Sequence, residues 1–133
     1  MSKEFDIVIH GATGFTGRLV AEYMMTRYPN SGNAEGVRWA MGGRSSDKLA
    51  AVRDEIGAPK DTPLVVTDTS NPASLQALMA RTRLVLTTVG PYQLYGNEMV
   101  ASCAASGVDY VDLCGEPAWM RHMIDAHEAQ AKA

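Results

Sequence analysis

Three glycines spaced three residues apart, Gly11, Gly14 and Gly17 in GATGFTG, are the first residues of the chain whose pattern implies chemistry. A turn without side chains lets backbone approach a diphosphate closely. A helix that begins there adds unpaired N–H groups and roughly +0.5 of a charge. Each glycine then has its own task. Gly11 permits the tight turn, Gly14 bares the backbone to a pyrophosphate, and Gly17 lets the helix pack closely. Thr13 and Thr16 add hydroxyl donors, and Phe15 lies in the same loop. A ligand-free glycine turn is the competing reading, and the flanking elements decide between the two.

Arg44 is the second chemical residue. It follows an apolar run and two glycines, where an acidic side chain would accept hydrogen bonds from a ribose 2′-hydroxyl. A guanidinium fork suits a 2′-phosphate instead, and Ser45 can donate to the same group or cap the next helix. The pattern therefore favours NADP, with NAD as the alternative cofactor. A solvated surface arginine at a helix start is the bland alternative. Further along, Asp68 would meet the adenine amine or cap its own turn. Val89 and Gly90 would approach the nicotinamide ribose. Tyr92 would pack on the nicotinamide or line the substrate pocket, unless Gly90-Pro91 is merely a turn.

These residues need elements to hold them. Ile7-Val8-Ile9 is a short β-branched run that suits a strand buried on both faces. Leu19, Val20, Tyr23 and Met24 recur at helical spacing, so a helix is expected from Thr16 to Arg27. A polar loop over Tyr28–Gly36 follows, then a strand over Val37–Met41 and a helix over Asp47–Ile56, with Leu49, Val52 and Ile56 inward. Pro63–Thr67 reads as a third strand, and Ser70-Asn71-Pro72 opens a helix carrying Leu75, Leu78 and Met79. Leu84–Val89 and Tyr110–Leu113 read as the fourth and fifth strands. Between them lies a helix with Met99, Val100, Cys103 and Ala104 on one face, closed by Gly107. A last helix starts at Pro117 and carries Trp119, Met123, Ile124 and His127. Alternating strands and helices predict an α/β fold, a Rossmann-type doubly wound parallel sheet with helices on both faces.

Bulk properties set the limits. At 133 residues one domain is expected, large enough to bury about two thirds of its unfolded surface. An apolar fraction of 46% and a charged fraction of 20% exclude an intrinsically disordered chain. A net charge of −3 without a basic run argues against nucleic acid, and no apolar stretch is long enough for a transmembrane segment. No signal peptide is legible, and Cys103 and Cys114 lack metal or redox spacing, so a cytoplasmic setting is expected. Cys103 reads as core packing, and His10 as a core residue rather than a base. Asp112 and Glu116 form a substrate-side acid–base pair, or Glu116 caps the last helix, the favoured reading. His122 and His127 have no partner ligand, so no metal is expected.

GATGFTG, GGRSSDKL from Gly42, TTVGPYQLYG from Thr87 and ASGVDYVDLCGEPAW from Ala105 together resemble the N-terminal domain of the saccharopine dehydrogenase-like oxidoreductases, which include trans-acting enoyl reductases. The likeness covers nearly the whole chain. It implies a nicotinamide dinucleotide as partner, and an oxidoreductase parent with a small-molecule or acyl substrate. It also implies a homodimer and a C-terminal domain, absent here, that supplies most of the substrate pocket. The catalytic residues are unknown. Residues four on from Tyr23, Tyr28, Tyr92, Tyr95 and Tyr110 are Arg27, Gly32, Gly96, Met99 and Cys114, so the Y-x-x-x-K pair of short-chain dehydrogenases is missing. Two functions stay open: the cofactor half of an oxidoreductase, or a module that senses NADP redox state without turnover.

Overall fold

Parallel strands cannot be joined by tight turns, so each must be followed by a helix that returns the chain to the starting edge. A computed structural model, described for residues 2–29 and 36–133, shows this arrangement. The strands are β1 (Phe5–His10), β2 (Trp39–Gly43), β3 (Leu64–Val66), β4 (Thr82–Thr87) and β5 (Asp109–Asp112). They form one parallel sheet in the order β3-β2-β1-β4-β5. The helices are α1 (Phe15–Arg27), α2 (Ser46–Glu55), α3 (Pro72–Arg81), α4 (Tyr92–Tyr95), α5 (Asn97–Ser106) and α6 (Pro117–Lys132). The expected Rossmann-type α/β sheet is what forms. Of the polar loop expected over 28–36, residues 30–35 lie outside the described residues.

Strand alternation divides the core in two. Ile9, Trp39 and Met41 point to one face, where Ala21 and Met24 of α1 and Leu49, Val52 and Ile56 pack on them. Val8, Ala40, Val65 and Val85 point to the other, against Leu75, Leu78 and Met79 of α3 and Met99 and Cys103 of α5. Each fully buried side chain of this size contributes about 1.5–3 kcal/mol. Cys103 is 2% exposed, and burial pushes its thiol up to about 12. A third, smaller cluster of Tyr92, Trp119 and Met123 joins α6 to the sheet edge.

Several boundaries differ from expectation for one reason: strand ends are set by the neighbour across the ladder. β2 begins two residues late but runs through Gly42 and Gly43, because His10 and Val66 lie opposite them. A Cβ on Gly42 would sit 2.9 Å from Val8 Cγ1, so the crowded sheet centre demands glycine there. β4 starts earlier, at Thr82 opposite Phe5, and stops at Thr87. The inward face of α1 also differs. Leu19 and Tyr23 are exposed, while Gly17, Ala21 and Met24 are buried, since small residues let α1 lie close to the sheet.

Candidate functional site

The chain reverses direction across the sheet at β1, which has β2 on one side and β4 on the other. Loops leaving these strands therefore splay apart and open a crevice at their carboxyl ends. A cleft of about 420 Å³ lies there. Its walls are the glycine turn (Gly11, Thr13, Gly14), the end of β2 (Gly43, Arg44) and the loop after β4 (Thr88, Val89, Gly90). A larger, more apolar groove of about 560 Å³ runs between α5, β5 and α6, away from the glycine turn.

The three glycines serve different ends. Gly11 has φ +91°, and a Cβ there would meet Val89 Cγ2 at 2.7 Å. On Gly17 a Cβ would come within 1.9 Å of the Gly11 carbonyl oxygen, so α1 docks on the turn only because Gly17 is bare. Gly14 is unlike both. Its Cβ would meet only the Gly11 oxygen, at an ordinary 3.5 Å, so the protein's own packing does not require glycine. Gly14 lines the cleft, and a side chain would intrude where a ligand must approach. It is also the N-cap of α1, which has no side-chain cap and no acidic residue in its first turn. The backbone here fits an anionic diphosphate.

Turn and strand ends are locked together. The Gly11 and Ala12 N–H groups donate to the Gly42 oxygen at 2.9 and 3.0 Å, and the Thr88 N–H donates to the His10 oxygen at 3.1 Å. Arg44 leaves the end of β2 exposed and forms no ion pair among the described residues. Its charge reaches both His10 and Asp68. Ser45 caps α2, its Oγ accepting from the Lys48 N–H at 3.3 Å. Thr16 is half-buried in the first turn of α1, and Phe15 is 84% exposed beside the turn.

Two expectations, for Tyr92 and Glu116, are corrected, and of the two readings left open for Asp68 the structure shows the turn. Tyr92 is 4% exposed and lies outside the cleft wall: its ring packs on Trp119 at 5.6 Å and its hydroxyl donates to the Thr87 oxygen. Tyr95, one turn on, lines the cleft in its place. Asp68 takes the turn-forming option. Its Oδ1 accepts from the Ser70 N–H at 2.9 Å and hydroxyl at 2.6 Å, bonds that hold its carboxyl below the usual range, while Thr69 lines the cleft. Glu116 does not cap α6 through its side chain. Its carboxylate accepts from the Tyr92 N–H at 2.7 Å and the Gln93 N–H at 3.1 Å, and so caps α4. Asp112 is likewise engaged, by the Tyr110 hydroxyl and the Cys114 N–H.

Five cleft residues were not expected at the site: Gly43, Thr69, Thr88, Tyr95 and His10. His10, the last residue of β1, is 5% exposed as a core residue should be, yet it lines the cleft. Burial, helped by the Arg44 charge, lowers its imidazole to about 4, so it is neutral at pH 7. Its position next to Gly11 was the readable signal. For the four-residue helix α4 there was none, because four residues show no period.

No helix among the described residues is long and apolar enough to cross a membrane. Residues 7–133 match the saccharopine dehydrogenase NADP binding domain family. Among curated relatives, a trans-acting enoyl reductase of Mycobacterium leprae is 47% identical over 132 residues, which is 98% of this chain and 30% of the relative. One from Mycobacterium tuberculosis is 48% identical over 130 residues, 97% of this chain and 30% of the relative. The chain thus spans about a third of the length of the curated relatives it matches. Among solved structures, the triphenylmethane reductase of Citrobacter sp., complexed with NADP(H), superposes with a TM-score of 0.65 at 22% identity, covering 96% of this chain and 45% of that one. Saccharopine dehydrogenase from Saccharomyces cerevisiae superposes at 0.60 with 16% identity, over 88% of this chain and 23% of that one. At these identities the two structures speak for the fold. Family match, relatives and strand order agree: the chain belongs to the saccharopine dehydrogenase NADP binding domain family.

Proposed function

We propose that the cleft at the ends of β1, β2 and β4 holds NADP as the cofactor half of an oxidoreductase. In this reading the Gly11–Gly17 backbone, with the Thr13 and Thr16 hydroxyls, holds the pyrophosphate. Arg44 and Ser45 take the 2′-phosphate, and Val89 and Gly90 floor the nicotinamide side. Bound NADP would give or accept a hydride, while the chain supplies orientation and electrostatics. The observation that carries the reading is Gly14: bare for a reason the protein's own packing does not supply, and lining the same cleft as Arg44, which forms no ion pair among the described residues.

The substrate side belongs to the longer protein in this reading. A small-molecule or acyl substrate, a homodimer, a further domain and a cytoplasmic setting complete it; the free Cys103 and Cys114 agree with a reducing compartment. One observation favours the redox-sensing alternative. Asp112 and Glu116 are occupied by structural hydrogen bonds, His10 is held neutral, and among the described residues no carboxyl group lines the cleft. Single-turnover oxidation of NADPH by the parent protein with an enoyl, imine or carbonyl substrate separates the two.

Calorimetric titration of the chain with NADPH and NADH tests the binding claim. A charge-assisted bond of roughly 1.5–3 kcal/mol predicts that NADPH binds about ten- to 150-fold more tightly. Absence of uptake of either nucleotide at millimolar concentration would overturn the reading.

A further inference from the structure

Three buried side chains, His10, Thr62 and Thr67, carry a polar atom without a hydrogen-bond partner among the described residues, and of the three His10 lines the cleft. It ends the central strand, between Gly42 of β2 and Thr87 of β4. Its Nδ1 is enclosed and has no hydrogen-bond partner among the described residues. A buried polar nitrogen without a partner costs roughly 1–3 kcal/mol. Leucine or valine would avoid that cost, since Val8, two residues earlier on the same face, is fully buried in the apolar core. A group kept at such a cost at the floor of a cleft is expected to meet its partner in the ligand.

We propose that the His10 imidazole hydrogen-bonds an uncharged group that NADP and NAD share, a ribose hydroxyl, and so reads the common part of the dinucleotide while Arg44 reads the third phosphate. The proposal rests on the cofactor reading above. Three features point to a neutral partner. The ring carries no charge at pH 7, so it adds no ionic attraction for phosphate. The Arg44 guanidinium stands near enough to disfavour a second cation. A neutral imidazole also has one N–H and one lone pair, which match a hydroxyl that both donates and accepts. A half-turn about χ2 carries the ring to the other well of that roughly two-fold torsion and exchanges Nδ1 with Cδ2, so either edge can face the ligand.

The test is calorimetry with NADPH and NADH on the unaltered chain and on His10→Leu, His10→Gln and Arg44→Ala. A lost neutral hydrogen bond of about 0.5–1.5 kcal/mol predicts that His10→Leu weakens both nucleotides by the same factor, about two- to twelvefold. Its thermal midpoint should stay level or rise, because the orphaned nitrogen is gone. His10→Gln, whose amide reaches about as far as Nε2, should recover binding to within about twofold. Should leucine pack badly, His10→Met offers a flexible apolar replacement. Unaltered affinities in a folded apolar variant would overturn the proposal. A loss confined to NADPH would overturn it too, since His10 would then serve the third phosphate. Failure of the unaltered chain to bind either nucleotide sinks the cofactor reading itself, a separable outcome.

Discussion

The carboxylate of Glu116 accepts the backbone N–H of Tyr92 at 2.7 Å and that of Gln93 at 3.1 Å, across more than twenty residues of chain. It clamps the start of α4, and with it the Gly90 turn, to the loop that follows β5. Below the turn, Tyr92 and Trp119 pack ring on ring, and Trp119 Nε1 donates to Asn97 Oδ1 at 2.6 Å. The wall of the cleft at Val89 and Gly90 therefore stands on the junction of α4, α5 and α6.

Removing that clamp should be measurable. Glu116→Ala leaves two α4 N–H groups without their carboxylate and is expected to cost about 1–2 kcal/mol, the usual range for a lost cap. Glu116→Gln keeps an acceptor and should cost roughly half as much. Urea titrations of the three proteins check this; equal midpoints would show that the bonds contribute nothing.

Gly14 and Gly17 should respond in opposite ways to alanine. Gly17→Ala pushes a methyl against the Gly11 carbonyl, and overpacking of this kind costs about 1–3 kcal/mol or more. Gly14→Ala meets an ordinary contact, so its thermal midpoint should stay near that of the unaltered chain while NADPH affinity falls. Melting curves paired with calorimetry decide. A Gly14→Ala protein that binds normally would remove the main support for the phosphate turn.

Arg44 is exposed, so solvent screening places its effect at the lower end of charge-assisted bonds. Arg44→Ala should weaken NADPH about tenfold and leave NADH nearly unchanged. The ratio of the two dissociation constants is the quantity to measure. A ratio that survives the substitution would place recognition of the 2′-phosphate elsewhere.

His10 also predicts a pH dependence with a definite sign. Its folded value of about 4 lies below the ordinary 6.5, so the unfolded chain binds the proton first as pH falls. Stability is then complete above about pH 6.5 and declines on acidification toward pH 4, by at most about 3 kcal/mol. His10→Leu should flatten this limb. Denaturant midpoints of both proteins across that window make the comparison, and parallel curves would show that another group is responsible.

Thiol reactivity should separate the two cysteines. Cys103 is 2% exposed with its thiol pushed up to about 12, whereas Cys114 is partly exposed. A disulfide reagent at pH 8 should modify Cys114 in the native protein and Cys103 only on unfolding. Native labelling of both at similar rates would contradict the placement of Cys103 against α3 and the sheet.

Much of the fold was legible because its signals are local. The β-branched run before Gly11, the capping residue Asn71 ahead of Pro72, and the inward positions Leu49, Val52 and Ile56 reflect short-range period and backbone preference. The packing tasks of Gly11 and Gly17 were legible too, since a missing Cβ has few uses at a strand-to-helix turn. Tyr92 and Glu116 were misplaced because their partners are Trp119 and the α4 backbone, and proximity in the chain says nothing of either.

Sequence alone therefore determined the order of the five strands and the five longer helices, the glycine turn and the family, for these depend on residue type and spacing within a few turns of chain. Tertiary structure decided that β2 runs on through Gly43, that Tyr95 rather than Tyr92 faces the cleft, and that His10 lines it with Nδ1 unpartnered among the described residues. Those outcomes depend on which atoms lie opposite across the sheet. The physical reason is that hydrogen bonding and burial are satisfied between neighbours in space, which parallel topology draws from distant parts of the chain.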